Sequence, residues 1–328
     1  MHHYLSGMSS ATEAGGRQDP VTRAVEQLPV ARYLLAVSGG RDSMSLLDAC
    51  AAVRTDIVAV ANFDHGTGPA ARRAARLVER EAERRSLPFV GGRRLGLQSD
   101  TEASWRAARW EFLRAWASEF DARVVTAHSL DDQIETIVMR ILRGSGTRGL
   151  AGLLAPSSIE RPFLTVSRET ISAYTTARKV RFVDDPSNLS RAHLRNRVRL
   201  DLLPAVEAAQ PGFADSMLAI SHAAAEWRVR AEQIIDALGL VTSAGTVAVP
   251  TKTLRSLPVE GLGVVWPAIA GRAGVVLDRR GTERVAAFTI EGKAGGRIPL
   301  SGGAVVECTP TTFVLRASPQ PPSLYFSE

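Results

Sequence analysis

The chain has 328 residues, 40 basic side chains against 34 acidic ones, and a formal net charge of +6. That length suits roughly two domains, and a hydrophobic share of 45% excludes a wholly disordered polymer. Only Lys179, Lys252 and Lys293 are lysines, so the remaining 37 basic side chains are arginines, whose planar fork grips phosphate with paired hydrogen bonds. A nucleic-acid partner is therefore permitted, and so is a merely solvated basic surface. Cys50 and Cys308 are far apart with no CxxC or Cys/His cluster around them, which argues against a disulfide framework or a structural zinc. No apolar run approaches the ~18 residues of a membrane span, and the first 30 residues lack a signal-peptide core. The expectation is a cytoplasmic protein without a membrane partner, carrying a flexible N-terminal tail over 1–28.

Short apolar runs then alternate with helical patterns. Arg32–Val37, Asp56–Ala61, Phe89–Val90 and Arg123–Thr126 read as strands. Pro69–Arg85, Thr101–Ser118 and Asp131–Leu142 read as helices, the first with Leu77 and Val78 inward and the last with Ile134, Ile137, Val138 and Ile141 inward. Strands of four to six residues between helices predict an α/β fold with a doubly wound parallel sheet, placed at 29–205. Gly144–Leu154 reads as a glycine-rich loop, Ser167–Ala177 as a helix, and Arg191–Leu203 as a helix stopped by Pro204. A helical linker is expected over 206–239. A small α+β C-terminal domain is expected over 240–328, with helices near 262–272 and 278–290 and strands at 304–308 and 312–316.

The segment between the first strand and the first helix carries the most chemistry. It reads Ser38-Gly39-Gly40-Arg41-Asp42-Ser43. A helix N-terminus offers unpaired N–H groups and a positive dipole end, and two glycines let the backbone approach a phosphate closely. Ser38 and Ser43 add hydroxyl donors. Asp42 is misplaced beside a phosphate unless a divalent cation lies between them, which points to Mg2+. Competing phosphate motifs fail: there is no GxxxxGK[ST], and the GxGxxG at Gly144, Gly146 and Gly149 follows a helix rather than a strand.

This strand–SGGRDS–helix signature resembles the PP-loop ATP pyrophosphatases, which cleave ATP between its α and β phosphates. Further segments resemble one branch, the tRNA(Ile)-lysidine synthetases: Asp64-His65-Gly66; Glu102-Ala103 with Arg106, Arg109 and Trp110; Ala127-His128-Ser129-Leu130-Asp131-Asp132 with Glu135; Arg143-Gly144-Ser145-Gly146; Arg161-Pro162-Phe163-Leu164; Asp185-Pro186-Ser187-Asn188; and Arg195-Asn196-Arg197-Val198-Arg199. They run in order over about 38–204. The chain departs from the pattern at Thr67-Gly68-Pro69, at Ser129, where the family has a second histidine, and at Phe163.

The resemblance implies an adenine nucleotide alpha hydrolase-like PP-loop ATPase fold and a C–N ligase that joins free L-lysine to C2 of the wobble cytidine of tRNA(Ile) with a CAU anticodon. The reaction would pass through an adenylated cytidine and use ATP and Mg2+. Ser38, Gly39, Gly40, Arg41, Asp42 and Ser43 would hold ATP, with Asp42 on Mg2+ through the phosphates. Asp42, Asp132, Glu135, His128 and Arg143 are the candidate catalytic residues. Arg195, Asn196, Arg197 and Arg199 are candidates for tRNA or phosphate contacts, and the C-terminal domain for tRNA binding. Arg143 or Arg197 could instead hold ATP phosphates or the lysine carboxylate. A homodimer is left open. Thiolation would call for reactive cysteines, which the sequence lacks in any plausible cleft. The amidating NAD and GMP synthetases lack the RGSG, DPSN and RNxxR set.

Overall fold

The computed structural model describes residues 19–66, 68–93, 102–243 and 245–318. The first elements are α1 (Pro20–Glu26), β1 (Tyr33–Ala36), α2 (Arg41–Val53), β2 (Ile57–Asp64), α3 (Pro69–Glu83), β3 (Phe89–Arg93), α4 (Glu102–Glu119) and β4 (Arg123–Thr126). Next come α5 (Leu130–Leu142), α6 (Thr147–Leu150), β5 (Ile159–Glu160), α7 (Arg168–Ala177), α8 (Leu194–Arg197), α9 (Leu203–Ala209) and α10 (Phe213–Asp236). The last are β6 (Val241–Ser243), β7 (Thr246–Pro250), α11 (Thr251–Arg255), α12 (Val259–Arg272), α13 (Arg279–Glu291), β8 (Arg297–Pro299), β9 (Val305–Cys308) and β10 (Thr312–Arg316). They fall into two compact units. One is built from residues up to Gln133 together with Ser157–Asn196, the other from Ile134–Pro156 together with the residues from Arg197 onward.

The first unit holds a five-stranded sheet in the order β3-β2-β1-β4-β5, with every neighbouring pair parallel. Parallel strands covered on both faces bury consecutive residues, and all four residues of β1 are buried. The pleat sends them alternately to two cores. Tyr33 and Leu35 join a cluster with α1, α2 and α7 through Val25, Leu46, Leu47 and Ile171. Leu34 and Ala36 join Leu113 of α4 on the other face. The strand order reverses between β1 and β4, so the carboxyl ends of these two strands flank the switch point where such sheets bind ligands.

The expected tail needs correction at its end. Residues 1–18 lie outside the described residues, but 20–26 form α1. Asp19 caps it by accepting from the Thr22 N–H at 2.9 Å, Pro20 occupies its first turn, and Val21 and Val25 are fully buried. Arg54 secures its far end: its guanidinium donates to the carbonyls of Val25, Leu28 and Pro29 at 2.9–3.0 Å while pairing with Asp56 at 2.5 Å.

The second unit holds the sheet β6-β7-β10-β9-β8, antiparallel throughout. Val247, Val249, Phe313 and Leu315 point to one face and pack on Trp266 of α12, whose indole N–H donates to Thr289 Oγ1 at 2.8 Å. Three readings change here. The expected loop at 144–154 contains α6 and a 3-10 turn at Gly152–Leu154. Ile141 is 45% exposed, so only Ile137 and Val138 of its stripe are buried. The expected helix stop at Pro204 is instead a π-helical turn over Val198–Leu202, where the Leu203 N–H bonds back to the Val198 carbonyl, and the helix then runs on through Pro204 to Ala209. A proline clashes with the carbonyl four residues back in a regular α-helix, and a widened turn relieves that clash. The chain ends this helix at Gln210, and the Glu207 carboxylate then caps α10 by accepting from the N–H groups of Gly212 and Ala214 at 2.7 and 3.0 Å.

Candidate active site

The turn Ser38–Ser43 leaves the carboxyl end of β1 and opens α2, with Gly40 as the N-cap. Its shape depends on Gly39, whose φ is +88°, a conformation L side chains rarely adopt. A Cβ there would also lie 2.7 Å from the Cβ of Ala74 in α3. The Ser43 hydroxyl sits inside the turn. It accepts from the N–H groups of Ser38 and Gly39 at 3.2 Å each and donates to the Gly40 carbonyl at 2.9 Å. A cavity of about 260 Å³ opens beside this turn at the ends of β1 and β2. Its lining includes Ser38, Gly40, Asp64, His65, Ala74 and Arg109. Asn62 braces the wall by donating to the Val37 carbonyl at 2.7 Å.

Three helix N-termini meet next to the turn: α2 with Asp42 in its first turn, α5 with Asp131 and Asp132, and α7 with Arg168. Arg168 links them. Its guanidinium lies 3.9 Å from the Asp42 carboxylate, 4.0 Å from that of Asp131 and 3.2 Å from that of Asp132. Its own N–H donates to Asp131 Oδ2 at 2.6 Å, so Asp131 also caps α7. Arg195 approaches Asp132 from the side at 3.7 Å and donates to its carbonyl at 3.3 Å. Ser129 and Asp132 form the reciprocal cap that the sequence pattern suggests, with the Ser129 N–H donating to Asp132 Oδ2 at 2.9 Å and the Asp132 N–H to Ser129 Oγ at 3.3 Å.

The charges at this junction are strongly perturbed. Burial pushes the Asp42 carboxyl up to about 6; Arg168 opposes the rise and the charge of Asp132 adds to it. Burial acts the same way on Asp132, but Arg195, the Ser129 N–H and Arg168 outweigh it and hold that carboxyl below its ordinary value. His128, at the carboxyl end of β4, is pushed down to about 4 by burial, with Arg109, Arg161 and Arg195 opposing the pull of Asp132. It is therefore neutral at pH 7, with Nδ1 2.8 Å from Thr126 Oγ1. Strongly shifted ionisable groups cluster at functional sites, and structural ion-pair networks produce them too.

The first unit thus gathers Ser38, Gly39, Gly40, Arg41, Asp42, Ser43, His128, Asp132 and Arg195 of the residues singled out in the sequence. Asn196 belongs to the same unit and donates from its side chain to the Ser190 carbonyl at 2.7 Å. Glu135, Arg143, Arg197 and Arg199 belong to the second unit. Glu135 is only 1% exposed, whereas Arg143 and Arg197 are exposed. Arg168 and Asp131 were missed. A signal for Arg168 exists: a cation in the first turn of a helix opposes the dipole, so such an arginine after the Ser167 cap asks for an anionic neighbour. Among the described residues, no group of three or more His, Cys, Asp or Glu is arranged to hold a metal alone.

A strand, a glycine turn and a helix N-terminus at the switch point of a parallel sheet define an α/β nucleotide-binding domain of the PP-loop class. The family model described as a PP-loop domain matches residues 17–206. A tRNA(Ile)-lysidine synthase of Salinispora arenicola is 34% identical over 267 residues, covering 77% of this chain and 78% of that protein. The chain belongs to the tRNA(Ile)-lysidine synthase family. A tRNA(Ile)-lysidine synthase of Geobacter sulfurreducens is 35% identical over 251 residues, which are 70% of this chain and 52% of that one, so the chain spans about half the length of this relative. Among solved structures, the U34-tRNA thiolase NcsA of Methanococcus maripaludis, with its [4Fe-4S] cluster, matches 62% of this chain and 77% of its own at 16% identity and a TM-score of 0.50, a likeness of fold. Among the described residues, no helix is long and apolar enough to cross a membrane.

Proposed function

We propose that the chain ligates free L-lysine to C2 of the wobble cytidine of a tRNA(Ile) with a CAU anticodon, in the cytoplasm, with ATP giving AMP and pyrophosphate. The observation that carries this reading is the SGGRDS turn and an ionised, arginine-flanked Asp132 joined through Arg168 within one unit. The C2 oxygen of cytosine is a poor leaving group; adenylating it makes AMP the leaving group, which an amine can displace. ATP, base and amine must therefore be held together.

The N–H groups of the turn and the α2 dipole bind the ATP phosphates, and the cavity beside them, which mixes apolar walls with Asp64, His65 and Arg109, takes the nucleoside. Asp42 suits a Mg2+ shared with those phosphates, because burial first and the charges of Asp132 and Asp131 second push its carboxyl up to about 6 in spite of Arg168 and Arg41, and a divalent cation would favour its charged form. When bound, Mg2+ would neutralise charge on the phosphates. Asp132 holds an ammonium group of lysine. Its depressed pKa makes it a binder of cations and a weak proton acceptor. That distinction matters because freeing the lysine ε-amine at pH 7 costs ~4.6 kcal/mol from its reference pKa near 10.4. Neutral His128 contacts nucleotide or base. Glu135 is a second acid on α5. Arg143, Arg195, Arg197, Arg199 and Asn196 serve phosphate or the lysine carboxylate, and the antiparallel-sheet unit grips the tRNA by shape and backbone.

Thiolation finds no support. Cys50 lies in the core with its thiol pushed up to about 12 by burial, and Cys308 is buried too. The test is incubation with labelled lysine, ATP and the CAU-anticodon tRNA(Ile). ATP-dependent label in RNA, with one AMP per lysine, is expected. A folded protein that binds ATP yet incorporates no label refutes the reading.

A further inference from the structure

Helix α3 carries Arg73, Arg76 and Arg80 along one exposed stripe, while Ala74, Leu77 and Val78 turn into the core. Seven residues of helix separate the first from the last of these arginines by about 10.5 Å. They form one bank of an open groove of about 640 Å³, with Arg181 also in its lining and Leu77 and Phe182 among the apolar side chains there. Among the described residues, no carboxylate lies within ion-pair distance of Arg73, Arg76, Arg80 or Arg181. Arg84 and Arg85 at the end of α3 are paired, both with Glu81, at 2.7 and 2.5 Å. Like charges three and four residues apart on a helix are destabilising in the free protein, so this bank is set for an anion.

The groove leads to the turn that binds nucleotide in the proposed function. Ala70, Ala71 and Ala74 of α3 line the 260 Å³ cavity, and Val183 lines both cavity and groove. The Val183 N–H donates to the Gly39 carbonyl at 2.9 Å. Arg41, from inside the SGGRDS turn, places its guanidinium 5.1 Å over the Phe182 ring.

We propose that this groove holds the phosphodiester backbone of the RNA substrate, with Arg73, Arg76, Arg80 and Arg181 each facing a phosphate. The proposal rests on the function argued above, which brings an RNA strand to the neighbouring cavity. Guanidinium forks match phosphate oxygens in pairs. The groove is shallow and offers one aromatic ring, which suits a polyanion better than an acidic protein that needs buried apolar anchors.

The test measures binding of the tRNA transcript across a salt series, for the wild type and for an Arg73→Gln/Arg76→Gln/Arg80→Gln variant, with ATP binding and circular dichroism alongside. Each lost phosphate contact removes ~0.7–0.9 from the slope of log affinity against log salt. The variant is therefore expected to lose about two to three slope units and to keep ATP binding. Arg181→Gln, outside the helix, is expected to lose about one unit or less and decides the matter if the triple variant misfolds. Unchanged slopes with tRNA binding intact overturn the proposal and assign the groove to another partner. A wild type that binds no tRNA overturns the functional reading instead.

Discussion

Arg168 Nη2 stands 3.2 Å from Asp132 Oδ1, and the same guanidinium reaches toward Asp42 on a different helix at 3.9 Å. One cation thus pulls down two acids assigned different tasks, against the burial that raises both. Replacing Arg168 with Gln leaves Asp132 to Arg195 and Asp42 to the weaker pull of Arg41, and both perturbed carboxyls should titrate higher. The variant is expected to lose about 1–3 kcal/mol of stability at pH 7–8, a discounted figure because the pair is partly solvated. The loss should shrink as the pH falls through about 6, where Asp42 takes up its proton, and again below the ordinary carboxylate value of 3.8, where Asp132 follows. Chemical denaturation at several pH values reads this; a pH-independent loss would reduce Arg168 to a packing role.

Asp42 pays a folding cost of opposite sign from the usual acid. Its folded pKa of about 6 lies above the ordinary 3.8, so the folded state is favoured below pH 4 and penalised as the pH rises through 6. Asp42→Asn should therefore raise the Tm of the ligand-free protein at pH 7–8, by up to about 3 kcal/mol of stability, and change little near pH 4. The same variant should fail to release pyrophosphate while still binding tRNA. A variant that is less stable at pH 8, or turns over normally, contradicts the assignment.

The Asp132 carboxyl, held low by Arg195, the Ser129 N–H and Arg168 against burial, stays charged over the working pH range. Asp132→Asn should raise KM for lysine at least tenfold, or about 1.4 kcal/mol, with a much smaller change in KM for ATP. Equal effects on both substrates would make Asp132 only the cap that its bonds to Ser129 also describe.

Gly39→Ala meets two obstacles at once, a φ of +88° and the Cβ of Ala74 at 2.7 Å. A loss of about 2–4 kcal/mol is expected in urea denaturation, together with weakened ATP binding. Gly40 has φ −78°, and a Cβ there would meet only Ser38 Oγ at an ordinary contact distance of 3.7 Å, so Gly40→Ala should be far milder.

Local chemistry explains what could be read before the fold was known. The SGGRDS turn announces itself because glycine, serine and a following helix are neighbours in sequence. The parallel sheet follows from short apolar strands between helices. Arg168 escaped because its meaning arises only when α2, α5 and α7 bring acids 36 and 126 residues away to it. α1 escaped because its seven residues are anchored by Arg54, 25 to 29 residues distant. Pro204 misled because a proline ordinarily ends a helix, and only the π turn at 198–202 lets this one continue. The short strands β6 and β8 have three residues each, too few for a period of two to show.

The Ser43 hydroxyl, bonded to the N–H groups of Ser38 and Gly39, acts as a resident stand-in for a phosphate oxygen. The turn holds its binding shape with that internal acceptor in place. In the proposed function, nucleotide arrival would exchange one acceptor for another, with little loop ordering left to be done. The enthalpy gained at these two donors would then be correspondingly small, and selectivity for a triphosphate would come from the helix dipole and from the charge at Asp42 rather than from newly made hydrogen bonds.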